Sequence, residues 1–274
     1  MSMTPDVPRW PTPLRWLLIF STAANAICAV GFGLRWPVLL ALWPLPGTTA
    51  LSFALVSSIY AAAAASTAWV LYSGQRAAFA GIALDHLAIF APLAVFFGMQ
   101  AAASSDPRLV SISLSCVAGA LFGLALFAWC TRLPLDCSVA LPAPVRWSFA
   151  VFVALLLGVA APLVGQVPDI LPWAVTPQLS VVIGWMFFGA ASYFAYGLLR
   201  PCWANAAGQL VGFLAYDVVL IGPLLERWPH ALPQHRLGLV VYLVVVVYSA
   251  LLAGYYLAVG PHTRLWAARG VAAT

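Results

Sequence analysis

The sequence contains no lysine, and all 12 of its basic residues are arginine. That removes a retinal Schiff base, a lysine nucleophile and a P-loop lysine. Charge of either sign is scarce. Charged residues make up 7% of the 274 and hydrophobic ones 64%, where a soluble domain carries about 25% and about 45–50%. So few charges cannot cover so much apolar surface in water. A soluble enzyme, a disordered chain and a disulfide scaffold are all excluded. The five cysteines, Cys28, Cys116, Cys130, Cys137 and Cys202, are scattered and form no CxxC pair. They point to neither a redox motif nor a metal site and read as small packing residues.

Other chemistries are missing too. There is no HExxH, no GxSxG and no glycine-rich phosphate motif. His86 is the one histidine well inside an apolar run, so a haem held by two facing histidines has no second ligand. His230, His235 and His262 fall in loops, and His230 and His235, near Glu226 and Arg227, read as solvated loop residues. The expectation is a protein with no metal, no cofactor and no enzymatic activity. The net charge of +5 is spread as single arginines between apolar runs, so it indicates topology and not nucleic-acid binding.

What the chain does have is long apolar runs. Eight reach the roughly 20 residues that cross a bilayer: 14–34, 51–72, 77–97, 109–130, 147–167, 179–199, 203–225 and 237–259. The fold class is all-α, a polytopic membrane protein. The first run lacks a convincing small-x-small cleavage site and reads as a helix rather than a signal peptide. Prolines such as Pro37, Pro107, Pro134, Pro168, Pro201 and Pro233 punctuate the breaks. With eight spans both ends share one face. That face carries Arg9, Arg15, Arg76, Arg132, Arg146, Arg200, Arg264 and Arg269, against Arg35, Arg108, Arg227 and Arg236 opposite. The bias predicts cytoplasmic termini. Trp16, Trp36, Trp43, Trp147, Trp173, Trp203 and Trp228 sit near span ends and suit an interfacial belt.

The two halves overlay at an offset of 131 residues (144 − 13): Pro13-Leu-Arg15-Trp16 falls on Pro144-Val-Arg146-Trp147, Pro37 on Pro168, Pro46 on Pro177, Gly81 on Gly212, Pro92 on Pro223 and Gly123 on Gly254. The pattern predicts two parallel four-helix repeats, residues 1–135 and 136–274, related by a pseudo-twofold axis along the membrane normal. Gly119 and Gly123 in the fourth span, and Ala250 and Gly254 in the eighth, are small residues four apart and predict close helix packing. The apolar segments 35–49 and 166–178 are too short to span and read as surface-lying stretches, with re-entrant loops as the sharper alternative.

Intramembrane polarity is concentrated in two spans. Asp85 and His86 lie in the third, Tyr216 and Asp217 at the matching place in the seventh, with Pro92 and Pro223 as kinks after each pair. A charge at the bilayer centre costs on the order of 3 kcal/mol or more, so it must be paired, neutralised or wetted. The expectation is that His86 and Asp217 approach each other across the axis. Asn205 and Gln209 extend a polar stripe from the cytoplasmic end toward Tyr216. The cluster is either a proton or ligand site or a hydrogen-bonded lock between helices.

The run Trp173-Ala-Val-Thr176-Pro177, followed by Ile183-Gly184-Trp185 and the small residues 189–191, with a degraded copy from Trp43 to Tyr60, resembles uncharacterised multi-pass membrane proteins of bacteria with GC-rich genomes. The resemblance implies a bacterial inner-membrane location and brings no activity. Two functions stand against each other: a small proton-coupled transporter or permease, and a non-catalytic assembly, sensory or structural partner. The partners expected are the lipid bilayer, a small-molecule or proton ligand, and a second copy or another membrane protein.

Overall fold

A computed structural model of the chain describes residues 10–264. Arg9 and Arg269, counted above, lie outside the described residues. The chain is an integral membrane protein, all-α, and among the described residues eight helices are long and apolar enough to cross a bilayer. They are α1 (Thr12–Gly33), α3 (Ala50–Ser73), α4 (Phe79–Ser104), α5 (Pro107–Cys130), α6 (Ala143–Val164), α7 (Pro177–Leu199), α8 (Trp203–Arg227) and α9 (Pro233–Gly254), the last continued by a wide turn, Tyr255–Val259. Local chemistry sets the ends. Thr49, Asp106 and Thr176 cap α3, α5 and α7 by accepting the Ser52, Arg108 and Leu179 backbone N–H groups. Gly74 ends α3 in the left-handed conformation at φ 72°. α4 runs past the expected end at residue 97 to Ser104: Gly98 is carried inside it, and no proline intervenes before Ser105 turns left-handed.

The segment 35–49 contains a short helix, α2 (Pro37–Leu42), with no buried residue. Its counterpart, 166–178, has no helix before α7 begins at Pro177 and turns inward, burying Leu171 and Trp173. Trp173 is therefore no belt residue: it is 3% exposed and donates its Nε1–H to Ser52 Oγ at 3.0 Å. Trp16, Trp36, Trp147 and Trp228 do face outward.

Helix packing follows two layers. In the first, α1 packs on α3, α3 on α8 and α8 on α9; in the second, α5 packs on α4, α4 on α7 and α7 on α6. Backbone approach between the layers is sparse. Each layer thus draws two helices from each half of the chain. The described chain crosses from one layer to the other twice, at residues 74–78 and 200–202, and both crossings lie on the face where the described chain begins at α1 and ends after α9.

Glycine makes the tightest seams. At Gly123 a Cβ would lie 3.0 Å from Ala83 O and 3.2 Å from Leu87 N, both α4 backbone. At Gly119 the neighbour is the Phe90 ring. Gly254, by contrast, has nothing within 4 Å of that position, so the seam expected in the eighth span makes no contact there. Gly123→Val should lower stability by about 1–3 kcal/mol, because backbone cannot step aside. Gly254→Val should lie within about 0.5 kcal/mol of wild type. Paired thermal melts in one detergent decide, and equal losses would refute the asymmetry.

The cysteine reading needs correction. Cys137, in the loop after α5, and Cys202, the residue before α8, form a disulfide. They are 65 residues apart in sequence, and only the fold brings them together. Cys116 and Cys130 are buried free thiols, as packing residues would be, and Cys28 is half-buried.

Candidate intramembrane polar site

The four polar residues of the third and seventh spans do not meet as one cluster. His86 and Asp217 form no pair: each has other neighbours. His86 Nδ1 is 2.9 Å from Ile82 O, one turn back on α4. A carbonyl only accepts, so that nitrogen carries the proton and Nε2 is left as the acceptor of the neutral ring. The ring faces α5, against Phe90 and close to Gly123. Asp85 turns the other way, onto α7, where its Oδ1 would lie 2.6 Å from a Cβ at Gly189. Its Oδ2 is 3.8 Å from His86 Nδ1, and Asp85 accepts no hydrogen bond among the described residues. The Asp85 and His86 side chains are 20% and 30% exposed. Every residue from Leu84 to Phe90 is half-buried, so α4 is loosely enclosed around its middle. Ile59 to Ala63 on α3 and Phe213 to Tyr216 on α8 are half-buried as well.

The α8 groups are enclosed and bonded. Asp217 is fully buried and its Oδ2 accepts from Ser249 Oγ of α9 at 2.5 Å. Its Oδ1 has no partner among the described residues. Tyr216 hydrogen-bonds through its hydroxyl to Tyr242, also on α9. Asn205 and Gln209 line no path. They fasten α8 to the end of α7: Gln209 Nε2 donates to Tyr193 O at 2.6 Å, and Asn205 Nδ2 donates to Tyr196 O at 3.4 Å and Arg200 O at 3.1 Å. Gly197 leaves the room that the Gln209 amide occupies. The offset that aligns the pairs in sequence brings them into no contact in the fold. Pro92 and Pro223 lie inside α4 and α8 as expected.

Sequence reasoning missed Tyr242 and Ser249. They are seven residues apart, two helical turns, on one face of the eighth span. That spacing was a usable signal for a polar face on α9 opposite Tyr216 and Asp217. It also missed His235, which lies in the first turn of α9 and not in a loop. His235 is buried, and its Nε2 is 3.1 Å from Asp169 Oδ1.

The polar ties between the layers sit at the two membrane faces. On the face with the chain ends they are Gln209, Asn205, the Ser148–Tyr248 hydroxyl pair at 2.7 Å and the Cys137–Cys202 bond. On the opposite face they are Trp173–Ser52 and His235–Asp169. Asp85 and His86 lie at a depth between the two sets. Among the described residues no group of three or more His, Cys, Asp or Glu side chains is placed to hold a metal ion. No protein-family model matches the chain, and no curated protein or solved structure matches it.

Proposed function

We propose that this membrane protein is a small proton-coupled carrier whose proton site is Asp85 with His86. One observation carries the reading: a carboxyl inside a spanning helix, partly exposed, without a hydrogen-bond donor, with an imidazole 3.8 Å away. A carboxylate so placed lacks the pairing that bilayer burial demands, and exchange of a proton with that surrounding space relieves the cost. The two-layer packing supports it, since layers tied at their faces and loose between can rock about a central site. Each layer maps onto the other when the halves of the chain are exchanged, which favours the duplication into residues 1–135 and 136–274. The arginine bias favours both ends in the cytoplasm, and the bacterial inner membrane is what the resemblance to bacterial multi-pass proteins implies.

A second reading, an assembly or sensory partner without transport, is favoured by α8. There Asp217, Asn205 and Gln209 are all buried against neighbouring helices and act as locks. The two readings separate on proton exchange. In vesicles loaded with a pH-sensitive dye, wild-type protein should carry protons down an imposed gradient. Asp85→Asn should reduce the rate at least about tenfold with the melting temperature unchanged, since no hydrogen bond is lost. Asp217→Asn should lower the melting temperature and leave the rate per folded molecule within about twofold. Wild-type vesicles no faster than protein-free ones, or an Asp85→Asn rate equal to wild type, would sink the carrier reading.

A further inference from the structure

We infer that Cys137 and Cys202 are a reversible redox latch that holds the two layers together on the face carrying the chain ends. The inference rests on the carrier reading and names a control over it. Cys137 belongs to the loop between α5 and α6, both in the second layer, whereas Cys202 directly precedes α8 of the first. The bond therefore ties one layer to the other. A two-residue antiparallel pairing sets it up: Leu141 N–H donates to Pro201 O and Trp203 N–H to Val139 O, both at 2.9 Å. The loop is stiffened next to the bond by Asp136, which accepts the Ser138 backbone N–H at 2.9 Å. That bond holds the Asp136 carboxyl below the usual carboxylate range.

Beneath the loop lies a cavity of about 200 Å³, walled by Cys130, Leu133, Cys137, Tyr196 and Arg200. Three of the five cysteines thus meet at one place, two bonded and the third a buried thiol in the wall. With the arginines placing this face in the cytoplasm, the bond meets a reducing compartment, where a lasting structural disulfide is rare and a transient one is regulatory. A cellular dithiol supplies the reaction. Two electrons and two protons pass from the dithiol to the bond, which opens to two thiols, and the dithiol closes to its own disulfide. With the latch closed, this face is held by covalent and polar ties together. With it open, the hydrogen bonds, the two short chain crossings and the apolar cluster that joins Phe149 and Phe194 to Ala206 and Leu210 remain, and the layers can loosen here because the loop is no longer bonded to the start of α8.

Cys130 is a built-in reporter, since it is 0% exposed under the loop. Purified protein in nanodiscs would be treated with N-ethylmaleimide, and the modified residues located by peptide mass spectrometry. With the bond intact, Cys130 should stay unlabelled. After reduction by dithiothreitol, or in Cys137→Ser/Cys202→Ser, it should label at least about tenfold faster. Re-oxidation of the wild type with diamide should restore protection. Reduction of the wild type needs no substitution, so a poorly folding double variant does not spoil the test. Equal labelling in both states, or a bond that neither opens nor re-forms, overturns the latch.

A second measurement fixes the compartment. Ser138→Cys in the double-serine background should resist a membrane-impermeant maleimide in whole cells. Labelling from outside, with the native pair oxidised during growth, would make the bond a permanent tie on an exterior face and overturn the latch. Proton movement through Asp85 would be untouched by that result, so the two ideas fail separately.

Discussion

Gly184→Leu should cost the protein more stability than the same substitution at Gly81, Gly189 or Gly197. Gly184 lies in α7 where it crosses α6. A Cβ there would sit 2.8 Å from Val164 N and 3.1 Å from Ala160 O. Both are backbone atoms of the facing helix, so no rotamer change relieves the contact. At Gly81, Gly189 and Gly197 the nearest atoms are side chains that can turn away. The helices must instead separate by the bulk of an isobutyl group, which breaks the Ser180 Oγ–Leu163 O hydrogen bond of 2.8 Å in the same seam. Overpacking of this kind costs about 1–3 kcal/mol and sometimes more, and the lost hydrogen bond adds about 1 kcal/mol. A loss of about 3 kcal/mol or more is expected, read as a melting-temperature drop in detergent or as failure to accumulate in membranes. Gly158→Leu is the control, because nothing lies within 4 Å of that position. Equal behaviour of the two variants would show that α6 and α7 do not cross where described.

The spans were legible because the bilayer asks for little more than length and apolarity, and eight runs supply both. Gly184 was visible only as part of a loose recurring motif; its reason, contact with another helix's backbone, needs the crossing. The layer arrangement was hidden because lipid-facing and helix-facing positions are equally apolar in most of the spans, and α8 alone carries a polar stripe that marks its buried face. Trp173 shows the same ambiguity in one residue. An indole near a span end fits the interface and fits a buried hydrogen bond to Ser52 equally well. The polar residues were found and their pairing was misread. Matching positions in two repeats predict equal depth, and depth does not decide which way a side chain points. Asp85 and His86 are adjacent, so on a helix they must point about 100° apart, and here they face α7 and α5.

Trp173→Phe should open the face opposite the chain ends. Both chain crossings and the disulfide join the layers on the other face, so the opposite face is closed only by non-covalent contacts. Among its polar ties Trp173–Ser52 is the stronger, being buried and backed by a ring stacked on Tyr242 at 6.0 Å between centroids. Phenylalanine keeps a six-membered aromatic ring against Tyr242 and removes the one donor together with the pyrrole ring, whose lost packing acts in the same direction. A net hydrogen bond of about 1 kcal/mol corresponds to a roughly fivefold rise in the open population. The His235–Asp169 pair matters less. The Asp169 side chain is 70% exposed, where water screens an ion pair to between about 0.2 and 1 kcal/mol, so Asp169→Asn should change the population by under about twofold. The reporter is Ala88→Cys, half-buried at mid-depth on α4, labelled by a water-soluble maleimide in nanodiscs with the disulfide intact. Trp173→Phe should raise its labelling rate about fivefold. Gln209→Leu, which removes a bond from the face held covalently, should raise it by less than twofold. A larger effect from Gln209→Leu than from Trp173→Phe would put the hinge at the other end of the molecule. That result would overturn a hinge at the face where the two chain crossings join the layers.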